Sequence, residues 1–168
     1  MIERSFSFGR IIVTDASFGH VGVGDQTFLE RFESRFSFRP DHVVWMDQVH
    51  SPMVQWVHSM TDESLILTKT DGALTDQKNV LLITKTADCV PVLLWNERDG
   101  IIAAIHCGWR GFMAGVLESF AELCREKNIS PEHFSAFLGP HLRVQHLEVQ
   151  QDFIGQVPEA KKIFLELR

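Results

Sequence analysis

At 168 residues, 45% of them hydrophobic, the chain can fold around a sizeable core, and we expect a single domain over residues 1–168. The formal net charge of -6 disfavours a nucleic-acid-binding protein that relies on a basic face. No stretch approaches the roughly 20 apolar residues that a membrane helix needs, and the N-terminus lacks the apolar run of a secretory signal. Three cysteines do not make a disulfide framework, so a reducing cytoplasm is the expected compartment.

The first third of the chain combines short strand patterns with one helical pattern. Residues 5–14 predict one or two strands. From Gln26 to Phe36 apolar residues recur at helical spacing, and Asp25 is the predicted N-cap of that helix. Two further strands are predicted at 43–46 and near 54–58.

The centre of the chain is more regular. Three apolar runs, at 80–83, 90–95 and 101–105, are typical of buried strands, and the polar residues 96–99 predict a turn between the last two. After Gly108 the apolar residues change to helical spacing, which predicts one helix that ends at Asn128. The residues of its apolar face are Phe112, Val116, Leu117, Phe120, Leu123 and Cys124.

The remainder of the chain predicts a helical turn, a possible strand and a last helix. Pro131 fits the first position of a helical turn. Residues 134–138 are either the rest of that turn or a strand, and a last helix is predicted from Gln150 to Leu167. Strands and helices thus alternate without a strict βαβ rhythm, so the predicted fold is α+β, with mixed sheets flanked by helices.

The turn at 96–99 brings two potential metal ligands together. If Trp95 pairs with Gly100, the antiparallel register places Cys89 directly opposite His106. Such pairs have Cβ atoms about 4.5–5.5 Å apart, which allows a thiolate and an imidazole to share one ion or to act as a thiol and its base. The alternative is that both are ordinary core residues, a small hydrophobe and a hydrogen-bonded histidine.

Other residues near these two add to the candidate site. His50 follows a predicted strand and could supply a third ligand, which would leave a fourth position open as in catalytic zinc sites. Arg110 stands between glycines where the next helix begins, a place suited to holding an anion. Asp88, beside Cys89, could move a proton. Arg110 could equally be an ordinary surface side chain.

Four motifs occur in one order along the chain: D-Q-V-H at 47–50, D-G-A-L-T-D at 71–76, T-A-D-C-V-P-V-L-L at 86–94 and A-A-I-H-C-G-W-R-G at 103–111. Together they resemble the laccase-domain family, also called polyphenol oxidoreductases, over about residues 43–149. The segment at 139–149 is similar to the family's G-P-x-I-G-x-x-x-[YF]-E-V pattern.

The resemblance implies a laccase-like α/β fold related to cysteine hydrolases of the deamidating-toxin type. It implies that His50, Cys89 and His106 match the family's zinc-binding and catalytic triad. It also implies nucleoside chemistry, namely phosphorolysis of adenosine and inosine and deamination of adenosine, with a nucleoside and phosphate as small-molecule partners. The family's older copper-oxidase label is disfavoured, because three ligands cannot build a multi-copper cluster.

The sequence departs from the family pattern in two places. The stretch at 14–20 lacks the arginine of the family's R-x-G-G-V-S segment, and the sequence reaches Arg168 without a Phe-Ser-Tyr-Arg-Arg-like motif. Both segments carry basic groups that suit phosphate, so nucleoside binding or deamination is expected ahead of phosphorolysis. Two other functions remain open: a hydrolase in which His106 activates Cys89, and a non-catalytic protein that binds zinc or a partner.

Overall fold

The structure is a computed structural model that describes residues 1–19, 21–25 and 27–146. The described part contains ten strands: β1 Ile2–Phe6, β2 Gly9–Val13, β3 His42–Met46, β4 Val54–Trp56, β5 Ser64–Leu67, β6 Gly72–Thr75, β7 Val80–Ile83, β8 Val90–Asn96, β9 Ile101–Cys107 and β10 Ser135–Leu138. It also contains three α-helices: α1 Phe28–Phe36, α2 Trp109–Met113 and α3 Val116–Glu126. The predicted helix from Gln150 to Leu167 lies outside the described residues.

The strands form one antiparallel, one parallel and one mixed sheet, which together with the helices confirms the predicted α+β class. Strands β1 and β2 make an antiparallel hairpin. A three-stranded sheet has the order β5-β3-β7 with parallel pairs, and a five-stranded sheet has the order β10-β8-β9-β6-β4. In the larger sheet only β4 and β6 run parallel.

The two larger sheets pack face to face with a helix on each outer side. Between the sheets lie buried residues such as Val44, Met46 and Ala104. Because side chains alternate along a strand, the neighbours Val43 and Trp45 face outward and pack against Phe28, Leu29 and Phe32 of α1. Helix α3 covers the outer face of the five-stranded sheet through Val116, Phe120 and Cys124.

The β8–β9 hairpin forms, but its register differs from the predicted one by two residues. Asn96 pairs with Ile101 and Pro91 pairs with His106, so the loop is the four residues 97–100 rather than 96–99. The Asn96 side chain bonds both the backbone N–H and the carboxylate of Asp99, and these bonds close the turn one residue later. A shift of two residues keeps each side chain on its face of the sheet.

Two helix predictions need correction, and one alternative that the sequence left open is decided. Helix α1 begins after Thr27, and Asp25 instead accepts the Thr27 backbone N–H, so Asp25 is not the N-cap. The single helix predicted between Gly108 and Asn128 is divided into α2 and α3 by Gly115, whose φ of 92° lies in the left-handed region. The segment at 134–138 is the edge strand β10, preceded by a 3₁₀ turn with Pro131 in its first position.

No helix of the part that the structure describes is both long and apolar enough to cross a membrane.

Candidate functional site

Three side chains that are distant in the sequence meet at one end of the five-stranded sheet. They are His50, in the loop after β3, Cys89, immediately before β8, and His106, in β9. One potential ligand atom from each lies within 4.8 Å of those of the other two. The sequence prediction that His50 would lie near both other residues agrees with this geometry.

Cys89 does not lie directly opposite His106, because Pro91 occupies that position in the observed register. Val90 pairs with Cys107, so Cys89 lies beside Gly108 instead. A β-carbon added to Gly108 would lie 2.5 Å from Cδ2 of His50 and 2.9 Å from Sγ of Cys89. The absent side chain at position 108 therefore leaves the space in which the sulfur and the imidazole meet.

Substitution of Gly108 by alanine is expected to lower stability by about 1–3 kcal/mol, because the new methyl group overlaps two side chains in a packed site. Urea denaturation measures the loss. Gly111→Ala is the matched control: its added carbon would lie 3.3 Å from the Ser51 carbonyl oxygen, a tight contact but a much smaller overlap, so its loss of stability should be smaller. If both substitutions lowered stability equally, the overlap of the new methyl group with His50 and Cys89 would not be the cause of the loss.

The imidazole within hydrogen-bond distance of the Cys89 sulfur is that of His50. Sγ of Cys89 lies 3.7 Å from Nε2 of His50. Burial, and then the charge of Asp88, raise the pKa of the Cys89 thiol above its ordinary value. Burial, followed by the charge of His106, lowers the pKa of His50. At neutral pH the metal-free pair is therefore a thiol beside a neutral imidazole.

The described part of the chain gives His106 a different partner, the carboxylate of Asp71. Nδ1 of His106 lies 2.8 Å from Oδ1 of Asp71, and both side chains are buried. Burial alone would raise the pKa of Asp71, but hydrogen bonds from His106 and Ser51 lower it below its ordinary value. The ionised carboxylate can only accept, so we infer that Nδ1 of His106 carries a proton, and Nε2 is then the nitrogen that a metal would use.

Asp71 also holds the loop that carries His50. Its two oxygens accept the backbone N–H groups of Val49, His50 and Ser51, at 3.1, 2.9 and 2.7 Å respectively. His50 has a φ of 62°, a left-handed conformation that costs a non-glycine residue about 1–2 kcal/mol. Three successive N–H groups that converge on one anion stabilise this backbone.

Gln48 links the His50 loop to the loop that carries Cys89. Its side-chain amide donates to the Lys85 carbonyl at 2.6 Å and accepts the Lys85 N–H at 2.8 Å. Sequence reasoning assigned no role to Gln48 or Asp71, although both belong to recognised motifs, D-Q-V-H and D-G-A-L-T-D. The available signal was that both are polar residues inside motifs that the resemblance had already singled out.

Arg110 and Asp88 lie beside the cluster. Arg110 is the second residue of α2 and exposed, and its guanidinium carbon lies 4.3 Å from the centre of the Trp109 ring. Its charge reaches the site, since it contributes to the lowered pKa of His50. Asp88 is exposed, and its backbone carbonyl accepts the N–H of Leu142.

The spacing of Cys89 and His50 fits a zinc-sized ion. A tetrahedral ion with Zn–S about 2.3 Å and Zn–N about 2.0 Å places sulfur and nitrogen roughly 3.5 Å apart, close to the 3.7 Å between Cys89 and His50. The remaining cysteines are not part of the cluster. Cys107, at the end of β9, and Cys124, in α3, belong to the core between α3 and the outer face of the sheet, away from the cluster.

Comparison with known proteins agrees with this fold. The sequence model of the family described as "Multi-copper polyphenol oxidoreductase laccase" matches residues 26–165, and the chain belongs to that family. Among solved structures, YlmD from Geobacillus stearothermophilus superposes with a TM-score of 0.71 at 24% identity, over 83% of this chain and 56% of that one. YfiH from Bacillus licheniformis gives 0.67 at 23% identity, over 79% and 54%.

Curated relatives add names for the family's members. "Purine nucleoside phosphorylase YfiH" of Shigella flexneri is 36% identical over 131 residues, which are 76% of this chain and 51% of the relative. "Purine nucleoside phosphorylase Rv2149c" of Mycobacterium tuberculosis is 36% identical over 120 residues, 71% of this chain and 47% of the relative. The chain thus spans about half the length of these relatives.

Proposed function

We propose that the chain is a zinc-binding enzyme of purine nucleosides, and that His50, Cys89 and His106 hold the metal. The observation that supports this function most directly is the grouping of three donor atoms within 4.8 Å in a family whose curated members are named purine nucleoside phosphorylases. Zinc is the metal of choice for two imidazoles and one thiolate with a further position left for a ligand. A zinc ion there would supply Lewis-acid polarisation of the reacting group.

The donor set favours zinc over a copper cluster. In the residues that the structure describes, His50, Cys89 and His106 are the one group of three or more candidate ligands. A multi-copper centre needs more ligands than this group offers, whereas a single zinc ion needs only three protein ligands in a catalytic site. The copper-oxidase description of the family therefore does not determine the chemistry of this chain.

The two reactions proposed for the site differ in their nucleophile. In phosphorolysis a phosphate oxygen attacks C1′ of the ribose, and the bond to the purine nitrogen breaks. In deamination a water oxygen attacks C6 of adenosine, and ammonia leaves. Arg110 would hold the phosphate or the ribose beside the cluster, and Asp88 would accept and return the proton.

Product analysis with adenosine and inosine, with and without phosphate, tests this function. Ribose 1-phosphate formed only with phosphate indicates phosphorolysis, and inosine with ammonia from adenosine indicates deamination. Metal analysis of protein purified without added zinc completes the test. Bound zinc without turnover of either nucleoside would contradict the enzymatic proposal and favour a zinc-bound protein without catalysis.

A cysteine hydrolase is the second candidate, favoured by the contact between Cys89 and His50. The imidazole that would activate the thiol is therefore His50, not His106 as the sequence suggested. The raised pKa of Cys89 weighs against it, because a protonated thiol is a poor nucleophile. Turnover of an amide or ester that survives strong chelation would favour the hydrolase over the zinc enzyme.

Replacing Arg110 with lysine is expected to raise the KM for phosphate about fivefold to tenfold, roughly 1.0–1.4 kcal/mol. Lysine keeps the charge but loses the planar fork that binds two oxygens at once. Steady-state kinetics at varied phosphate measures the change. Arg125→Lys, an exposed arginine in the last turn of α3, is the control and should leave KM unaltered. An unchanged KM in the Arg110 variant would place phosphate elsewhere.

A further inference from the structure

We infer that Asp71 is a positioning residue that holds both histidine ligands of the proposed metal site in one geometry. The inference rests on the proposed function, because it assumes that His50 and His106 bind the metal. Asp71 itself touches neither substrate nor metal. Its carboxylate is fully buried directly behind the cluster, where it contacts the His50 loop on one side and the His106 ring on the other.

The first part of the argument concerns the ring of His106. A histidine ligand offers one nitrogen to the metal, and its other nitrogen needs a partner that fixes the tautomer and the ring orientation. Asp71 provides that partner at 2.8 Å. The backbone N–H of His106 also donates to the backbone carbonyl of Asp71 at 2.7 Å. The aspartate thus fixes both the strand position and the ring of this ligand.

The second part concerns the backbone of His50. The left-handed conformation of His50 turns the chain sharply between β3 and β4, and the amides of 49–51 point to one place. In other proteins such a concave arrangement of amides binds an anion from solution. Here the anion is the protein's own Asp71, so the turn that presents His50 depends on the carboxylate that orients His106.

One carboxylate therefore couples two ligands that come from separate segments of the chain. The hydroxyl of Ser51 adds a further bond to Oδ2, at 2.8 Å. Asparagine has the same shape but offers only one acceptor oxygen. In Asp71→Asn the NH₂ group replaces one of the two oxygens. In one orientation the backbone N–H groups of Val49 and Ser51 lose their acceptor, and in the other His106 loses its acceptor.

The test uses zinc alone as the probe. Asp71→Asn is expected to weaken zinc binding by 10- to 100-fold, the usual loss when the hydrogen-bond partner of a metal-binding histidine is removed. Isothermal titration of the metal-free protein measures the affinity. Asp76→Asn is the matched control, because Asp76 is exposed at the other end of the same D-G-A-L-T-D motif, and it should bind zinc as the parent does.

A second measurement separates positioning from a merely structural role. Nitrogen-15 NMR of the metal-free parent should show His106 as the single tautomer protonated at Nδ1, and the Asp71→Asn variant should lose that preference. A parent with the proton on Nε2 would overturn the inference, even if the variant failed to fold. So would a folded Asp71→Asn variant with the affinity of the parent.

The two proposals fail in different ways. If the parent binds no zinc, the proposed function loses its metal site, while the tautomer of His106 still reports on Asp71. If the parent binds zinc and turns over nucleosides but the Asp71→Asn variant does both equally well, the function stands and the positioning role is wrong.

Discussion

Cys89→Ala is expected to weaken zinc binding by at least about 100-fold, because even the loss of an outer partner of a metal ligand costs 10- to 100-fold. The substitution removes the only thiolate of the cluster and leaves two imidazoles, which hold zinc poorly. Turnover of nucleosides should be lost with the metal. The fold should remain, since deletion of one sulfur from a half-buried site costs about 1 kcal/mol. Zinc titration, a nucleoside turnover assay and urea denaturation measure these three effects.

Cys124→Ala provides the control for Cys89→Ala. Cys124 is fully buried on the inner face of α3 and is not a member of the metal-ligand group. The control should lose a similar or larger amount of stability while its zinc affinity stays that of the parent. A Cys89→Ala variant that still turns over nucleosides would place the chemistry elsewhere. A variant destabilised by several kcal/mol, in a parent without zinc, would make Cys89 an ordinary core residue.

Trp45→Ala should have the largest effect on stability, about 3–5 kcal/mol, which is the usual cost of truncating a buried aromatic side chain. Trp45 is 2% exposed and lies between the three-stranded sheet and α1, where its ring centre is 5.0 Å from that of Phe28. Its removal leaves a cavity that both layers border. Urea denaturation followed by circular dichroism measures the change in the free energy of unfolding.

Phe112→Ala is the matched control for Trp45→Ala, because Phe112 is 53% exposed on α2. It should change the free energy of unfolding by less than about 0.5 kcal/mol. A loss below about 1 kcal/mol in Trp45→Ala would mean that α1 does not pack on the sheet as described.

The sequence predicted the elements whose apolar residues follow one clear period. The apolar runs at 43–46, 80–83, 90–95 and 101–105 became β3, β7, β8 and β9. Most residues of β3 and β9 are buried, whereas β7 is an edge strand whose residues are only partly buried. Strands β5 and β6 were missed, because each is short and flanked by polar residues. Strand β6 is fully buried only through the strands on either side of it, a long-range effect that no local pattern reveals.

The sequence predicted the three candidate ligand residues of the site, but it did not predict the residues and contacts that position them. His50, Cys89 and His106 are residue types with evident metal chemistry, and the hairpin and the motifs related their positions. The exact register could not be predicted, since it depends on the bonds between Asn96 and Asp99. The place of Asp71 could not be predicted either, because β6 pairs with β9 across a separation of about 30 residues.

The residues of the site come from distant parts of the chain, and this separation affects the folding kinetics. Cys89 and His50 are 39 residues apart, and Asp71 and His106 are 35 apart. The β8–β9 hairpin is local and can form early, whereas the cluster is complete only when the loops around 50 and 71 have docked on it. A metal held by the finished cluster would contribute little to the folding transition state. It would therefore slow unfolding far more than it speeds folding, and at a free concentration of 100 Kd it would add about 2.7 kcal/mol to the stability of the native chain.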